Sequence, residues 1–231
     1  MARIVLTHAH LPLNERIARH LLSRGHALAL LFPTTQARDE GLARLAEGER
    51  VKGFLHLEEC VGSLGGLDAL VNGHEGLDEG RLLVEEPLRL RELVTQGLQW
   101  LFETTRAAIP YLLRKGGGSI VFPLVYDALC YADYPTSPVM DHARLAMVKS
   151  LSRELTAFGV QVNALTIGYH DLGFTPAERK ARRERLSIFG LKPPLVAVDA
   201  LLTALDLLID SPCPHLGGQN LHVGFGIETT V

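Results

Sequence analysis

Two histidines lie in the first turn of the chain, where polar side chains could bind a ligand. Residues 5–25 read VLTHAHLPLNERIARHLLSRG, an apolar segment followed by an amphipathic helix pattern. His8 and His10 fall between the two, so both could point into one site and bind an anion or a metal ion. The alternative is an exposed loop in which the pair is incidental. Because no third ligand is evident, the sequence predicts no metal site.

The elements around this turn alternate between buried strands and helices. The pattern predicts a first helix that is capped by Asn14 or a neighbour and ends at Gly25. Strands are predicted at 3–7, 26–32, 51–57, 67–73, 119–125, 160–168 and 220–226, and further helices at 35–47, 88–113, 138–158 and 195–210, the last preceded by a charged segment at 175–186. This alternation predicts an α/β fold with a doubly wound, Rossmann-like parallel sheet of about seven strands.

One connection is short for such a sheet. Residues 58–66 alone separate the third strand from the fourth, whereas a parallel crossover usually needs about a dozen residues or more. We therefore expect a shortened helix of one or two turns at this crossover.

Composition limits the classes of protein. The 231 residues suit one α/β domain, 1–231, and the formal net charge of -3 gives no field for nucleic acid or an anionic membrane. The apolar runs are too short to span a bilayer, and no secretory signal precedes the first strand. Cys60, Cys130 and Cys213 lack metal-type spacing, which favours free thiols in the cytoplasm. The basic-rich run 178–185 is interpreted as a solvated helical face.

Four segments, in order along the chain, resemble the short-chain dehydrogenase/reductase family. They are LDALVNGHEG (67–76), GGGSIVFPLV (116–125), the helix and strand of 140–172, and LGGQNLHVGFG (216–226). The resemblance implies a dinucleotide-binding fold and NAD(P)-dependent carbonyl chemistry. It also implies assembly through the two long helices.

The first turn departs from the family pattern. Thr7 is kept, but the three glycine positions of the family motif fall at His8, Pro12 and Asn14. Glycines there let the backbone approach a pyrophosphate, and proline removes an N–H donor. The second strand ends in FPT (32–34), without the acid or base that the family uses for the ribose. These departures predict that no cofactor binds, with NAD(P) as the alternative.

The catalytic positions depart as well. The family's asparagine falls at Gly97, its serine at Val125 or Leu124, its tyrosine at Met140 and its lysine at Arg144. Methionine cannot replace the tyrosine, which is the family's proton donor and acceptor. A loop tyrosine, Tyr126, Tyr131 or Tyr134, is the possible substitute. The residues expected to line the cleft are Asn72, Gly73, Tyr126, Arg144, Gly168 and Tyr169.

Arg144 needs a partner if the helix buries it. A buried, unpaired guanidinium is costly, so we expect a carboxylate, backbone carbonyls or a bound anion beside it. The candidate acids are Asp127, Asp133 and Asp141.

Three functional hypotheses follow. The first is a pseudoenzyme that acts through assembly or by binding a non-dinucleotide ligand. The alternative is an NAD(P)-dependent oxidoreductase that binds its cofactor in a distorted way. The third uses Arg144 for altered chemistry, loosely like the halohydrin dehalogenases. The expected partners are further copies, in a homodimer or homotetramer, or an intact relative in a mixed assembly.

Overall fold

Seven parallel strands form one sheet in this protein, whose structure is a computed structural model. The structure describes residues 1–45, 51–125, 135–172, 174–186, 195–210 and 215–224. The strands are β1 (Arg3–Thr7), β2 (Ala27–Leu31), β3 (Lys52–Phe54), β4 (Ala69–Val71), β5 (Gly118–Val125), β6 (Val160–Ile167) and β7 (Asn220–Val223). Their order is β3-β2-β1-β4-β5-β6-β7. The predicted doubly wound Rossmann-like fold is confirmed.

Helices cover both faces of the sheet. They are α1 (Pro12–Ser23), α2 (Thr35–Leu45), α3 (Leu57–Leu64), α4 (Glu79–Glu85), α5 (Pro87–Lys115), α6 (Pro138–Leu155), α7 (Pro176–Leu186) and α8 (Val198–Asp210). The sequence analysis missed α4, which Glu86 separates from α5 at a φ of -142° and a ψ of 63°. Within the described ranges, no helix is long and apolar enough to cross a membrane.

The core has one apolar layer on each face of the sheet. Ile4 and Leu6 of β1 pack in the layer with α1 and α8, whereas Val5 packs in the layer with α3, α5 and α6. This division follows from the two-residue period of a strand, which sends alternate side chains to opposite faces. Both faces are buried, which explains why the strands read as continuous apolar runs.

The crossover between β3 and β4 is short, as predicted. Helix α3 has 8 residues, and it ends at Gly65, whose φ of 69° is left-handed. Strand β3 itself has 3 residues, and it forms the outer edge of the sheet beside β2.

The chain order reverses at β1, which lies between β2 and β4. In open α/β sheets, the crevice beyond the carboxyl ends of the strands at such a reversal is the usual ligand site. The turns that leave β1 and β4 therefore define the place where a functional site is expected.

Candidate active site at the carboxyl end of the sheet

The first turn keeps a glycine-like backbone although it contains histidine. His8 has a φ of 57°, the left-handed conformation that glycine adopts most readily. Its ring is turned inward, with Nδ1 3.0 Å from Thr7 Oγ1 and the ring centroid 5.6 Å from that of Trp100. Burial, with help from the charge of Arg144, lowers the pKa of His8 to about 3. His8 is therefore a neutral residue of the site's interior near neutral pH.

Asn14 links the first turn to the turn after β4. Its Nδ2 donates to His8 O at 3.0 Å and to His74 O at 2.8 Å, and its Oδ1 accepts from His74 N at 3.0 Å. The prediction that Asn14 could cap α1 is wrong for its side chain, because Leu11 is the N-cap residue and no side chain caps it. The Asn14 amide cannot serve the helix because it faces β4.

Some backbone N–H groups at the start of α1 have no hydrogen-bond acceptor in the described part of the chain. The N–H groups of Leu13 and Asn14 donate to no acceptor among the described residues, and Pro12 has no N–H. Free N–H groups at a helix N-terminus favour anionic groups such as a diphosphate. Because the side chains of His8 and Asn14 are engaged elsewhere, they do not fill this position. Two backbone N–H groups, on the buried residues Leu13 and Asn14, therefore remain without an acceptor within the described ranges despite the departures from the glycine motif.

Gly73 allows the two turns to approach each other. A Cβ built on Gly73 would lie 2.4 Å from Thr7 O and 2.6 Å from Asn14 Cγ. The Gly73 N–H also donates to Thr7 Oγ1 at 2.9 Å. No other residue type could take this position without moving the first turn.

Arg144 lies fully buried among acidic side chains. Its Nη2 is 3.0 Å from Glu75 Oε2, and its Nη1 is 3.2 Å from Asp141 Oδ1. Nη2 also lies 3.5 Å from Gly73 O. The prediction that a buried Arg144 needs a carboxylate or carbonyl partner is confirmed, and Asp141 is one of the acids named for it. Asp127 and Asp133 lie outside the described residues.

A third acid, Glu79, belongs to the same cluster. Its carboxylate accepts from Val139 N at 2.8 Å and from Met140 N at 3.2 Å, so it satisfies the start of α6. Glu75 and Asp141 pair with the guanidinium, and the charge of Glu79 acts on both of these acids. Burial raises the pKa of Asp141 to about 7, against the opposing charge of Arg144. The cluster consequently retains a proton near neutral pH.

His74 faces this cluster as a neutral ring. Its Nδ1 accepts from Gly76 N at 3.1 Å, which places the ring proton on Nε2, 4.0 Å from Asp141 Oδ1. Burial lowers the pKa of His74 to about 3, and the charge of Arg144 adds to this effect.

Three positions named from the family resemblance meet here. A Cβ built on Gly97 would lie 3.0 Å from Met140 Cε and 3.4 Å from Glu75 Oε2. Glu75 in turn pairs with Arg144. The structure thus brings together the positions where the family has asparagine, tyrosine and lysine. Val125 lies at the end of β5.

The other predicted cleft residues are distributed over several elements. Asn72 follows β4, and its Nδ2 donates to Thr105 Oγ1 at 3.0 Å. Gly168 and Tyr169 follow β6, and both are buried. Tyr126, Tyr131 and Tyr134 lie outside the described residues. Within the part of the chain that the structure describes, no three His, Cys, Asp or Glu side chains could hold a metal ion together.

Sequence reasoning missed Glu75 and Glu79. Both lie in the run HEGLDE (74–79), Glu75 within the segment 67–76 that the resemblance singled out and Glu79 just after it. Neither occupies a position where the family motif has a functional residue. The signal that could have found them is the requirement for acids around Arg144.

No model of a known protein family matches the chain. Among curated proteins, it is 23% identical to the 3-oxoacyl-[acyl-carrier-protein] reductase FabG of Staphylococcus aureus, with 96% of each chain covered. It is 26% identical to the uncharacterized oxidoreductase YmfI of Bacillus subtilis, covering 96% of this chain and 97% of that protein.

Solved structures show the same fold. The TT0495 protein of Thermus thermophilus has a TM-score of 0.72 at 19% identity, with 97% of both chains covered. A variant of actinorhodin polyketide ketoreductase with NADPH has a TM-score of 0.71 at 21% identity, again with 97% of both chains covered.

The fold is Rossmann-like, and the candidate site lies at the carboxyl end of its sheet, where the chain order reverses at β1. The relatives and the solved structures together place the chain in the short-chain dehydrogenase/reductase superfamily. Two predictions are therefore wrong. The pseudoenzyme interpretation is contradicted by relatives that are named as reductases, and the expectation of no cofactor by a structural neighbour with NADPH. The expectation rested on the residue types at His8, Pro12 and Asn14, and the structure shows the His8 ring beside Thr7 Oγ1 and the Asn14 amide bonded to His8 O.

Proposed function

We propose that this chain is an NAD(P)H-dependent oxidoreductase that reduces a carbonyl group. The observation behind the proposal is that Gly97, Met140 and Arg144 meet at the carboxyl end of the sheet, beside the open N–H groups of α1. The names of the relatives support this choice and make 3-oxoacyl thioesters the first substrates to test. The chain would be a divergent member, since these positions and the first turn differ from the family pattern.

The cofactor would lie across the turns after β1 and β4. The N–H groups of Leu13 and Asn14 would donate to its diphosphate. Asn72 Oδ1 is buried without a hydrogen-bond partner among the described residues, so it is available to a ligand donor. When bound, NAD(P)H supplies a hydride. The chain's own tasks are then to orient the carbonyl, exclude water and supply a proton.

A titration with NADPH and NADH tests the proposal directly. Trp100 is the only tryptophan, and its ring lies 5.6 Å from that of His8. We expect saturable quenching of Trp100 emission together with enhanced nicotinamide emission. No saturable binding of either nucleotide up to about 1 mM, the upper end of common enzyme affinities, would refute the proposal.

Pro12→Ala provides a sharper test at the diphosphate position. The variant adds an N–H to the exposed start of α1, and a hydrogen bond to a charged group contributes about 1.5–3 kcal/mol. We expect NADPH to bind about tenfold more tightly. Pro87→Ala is the matched control, because it makes the same change at the start of α5. Equal affinities in both variants would place the diphosphate elsewhere.

We also infer that the protein assembles through α5 and α6. Between these helices lies an open cavity of about 570 Å³, mostly lined by apolar side chains that include Phe102, Ile109 and Ala146. Phe102 is 55% exposed. A second copy of the chain, presenting the same two helices, would cover this groove symmetrically.

Light scattering tests the assembly. We expect a dimer or tetramer for the wild type and a smaller species for Ala146→Arg, since that variant places a charge in the groove. Gln36→Arg adds the same charge on the exposed face of α2 and serves as the control. A wild-type monomer at micromolar concentration would contradict the inference.

A further inference from the structure

Glu75 occupies the space beside the position where the family has its tyrosine. Met140 stands at that position and is fully buried, and methionine has no proton to donate. Glycine at position 97 leaves room for two side chains, because a Cβ there would lie 3.0 Å from Met140 Cε and 3.4 Å from Glu75 Oε2. The Glu75 carboxyl group and the Met140 side chain therefore lie on either side of the same space above Gly97.

Both carboxyl oxygens of Glu75 are buried without a hydrogen-bond partner among the described residues, although one of them lies at ion-pair distance from Arg144. Oε2 lies 3.0 Å from Arg144 Nη2. Oε1 is buried and has no hydrogen-bond partner among the described residues. The Glu75 side chain as a whole is 10% exposed. A buried carboxyl oxygen without a partner is costly, and a ligand hydrogen-bonding group would remove that cost.

We propose that Glu75 is the proton donor of the reduction, and that Arg144 is the residue that positions it. The inference rests on the proposed function and assigns the group that completes its chemistry. The pair parallels the family's tyrosine and lysine, in which a cation lies next to the proton donor.

The chemistry balances with one proton from Glu75. The carbonyl carbon gains the hydride, the C=O π bond breaks, and the carbonyl oxygen takes the proton from Glu75 Oε1, so the product is an alcohol. The cofactor is oxidised to NAD(P)⁺ and the carbonyl is reduced. The carboxylate that remains is stabilised by the Arg144 guanidinium and regains its proton from water.

The groups around Glu75 keep its proton available. Burial raises the pKa of Glu75, and the negative charge of Glu79 adds to that effect, whereas Arg144 opposes it. Asp141 also faces Arg144 from α6. His74, the preceding residue, is neutral near neutral pH and so adds no positive charge. A general acid works best when its pKa is near the working pH, and burial together with Glu79 raises the pKa of Glu75 above its ordinary value.

The test compares Glu75→Gln and Glu75→Asp with the wild type. Reduction of acetoacetyl-coenzyme A and a panel of ketones is followed with NADPH, and NADPH binding is measured separately through Trp100 emission. We expect the Gln variant to bind NADPH as the wild type does but to turn over about 100-fold more slowly or worse. The Asp variant keeps an acid and should fall between the two. Glu92→Gln, at an exposed acid of α5, is the control.

The pH dependence gives a further readout. Wild-type turnover in the direction of reduction should fall as the pH rises through the pKa of Glu75, because only the protonated acid donates. That limb should shift in the Asp variant and disappear in the Gln variant. Wild-type stability should also decline as the pH rises above the ordinary pKa of Glu75, and the Gln variant should lose that decline.

The outcomes separate the two proposals. An active wild type with an equally active, folded Gln variant would overturn the role of Glu75 and leave the oxidoreductase standing. A wild type that binds NADPH but reduces no carbonyl of the panel would overturn both the carbonyl reduction and the role of Glu75, and would leave only the binding of the nucleotide. No NADPH binding and no turnover would overturn both. If the Gln variant does not fold, the pH dependence of turnover in the Asp variant tests the role of Glu75. A fall in turnover at the same pH as in the wild type would then count against that role.

Discussion

His74→Asn should reduce the sensitivity of the protein to acid. Burial lowers the pKa of His74 from its ordinary 6.5 to about 3. Between these values the unfolded chain binds a proton that the folded protein does not bind, so stability falls as the pH falls. Asparagine removes this titration, and its Oδ1 can still accept from Gly76 N, which now donates to His74 Nδ1.

The magnitude follows from the size of the shift. One pKa unit corresponds to about 1.4 kcal/mol. A pH of 5 lies about 1.5 units below the ordinary pKa of His74, so the residue is protonated in the unfolded chain but not in the folded protein. This difference alone lowers the free energy of unfolding by about 2 kcal/mol relative to pH 7. His8 adds an effect of the same sign, since its pKa is also lowered to about 3. Asp141 acts in the opposite direction, because its raised pKa makes the folded state bind a proton first.

The assay is urea unfolding of wild type and variant at pH 7 and at pH 5. The quantity of interest is the change in the free energy of unfolding between the two pH values, which should be about 2 kcal/mol smaller for the variant. His142→Asn, at an exposed histidine of α6, is the matched control. If His74→Asn loses as much stability on acidification as the wild type, His74 is not held neutral by burial, and the reasoning is refuted.

Three other predictions concern the same region and the core. Gly73→Ala should destabilise the protein by about 2 kcal/mol or more, because its Cβ would lie 2.4 Å from Thr7 O, whereas Gly62→Ala in α3 meets nothing within 4 Å and should be neutral or stabilising in the same urea assay. Asn14→Ala should cost about 2–4 kcal/mol in urea unfolding, because it leaves the N–H and the carbonyl of buried His74 without partners, whereas His8 O keeps its bond from Leu11 N, and a loss under 1 kcal/mol would contradict this account. Burial raises the pKa of Cys60 to about 12, so mass spectrometry should show no alkylation of Cys60 by iodoacetamide until the protein unfolds.

The fold was predictable because its signals are local and repeated. The apolar segment 3–7 coincides with β1, and the run 160–168 differs from β6 by one residue. Helix α4 was missed because the helical apolar spacing was traced only over 88–113, a range that lies within α5. Such a spacing indicates the face of a helix, but it does not indicate where one helix stops and the next begins.

The site was predictable only in part, because it depends on where side chains point. The resemblance led to Met140 and Arg144, and the structure brings them together. It could not show that Asn14 turns toward β4, since residue type at a motif position does not fix the direction of a side chain. Glu75 was missed for a related reason. Its role arises from contacts with residues 22 and 69 positions away along the chain, Gly97 and Arg144.

Strand β3 has a consequence for how the protein avoids aggregation. An edge strand can template the addition of a foreign strand through its unpaired backbone groups, and natural proteins counter this with short or charged edges. Here the edge strand beside β2 is 3 residues long, and its first residue is the exposed Lys52. An incoming strand would gain few hydrogen bonds and would have to desolvate an ammonium group. Copies of the chain are therefore expected to meet through helices, and extension of the sheet across molecules at this edge is disfavoured.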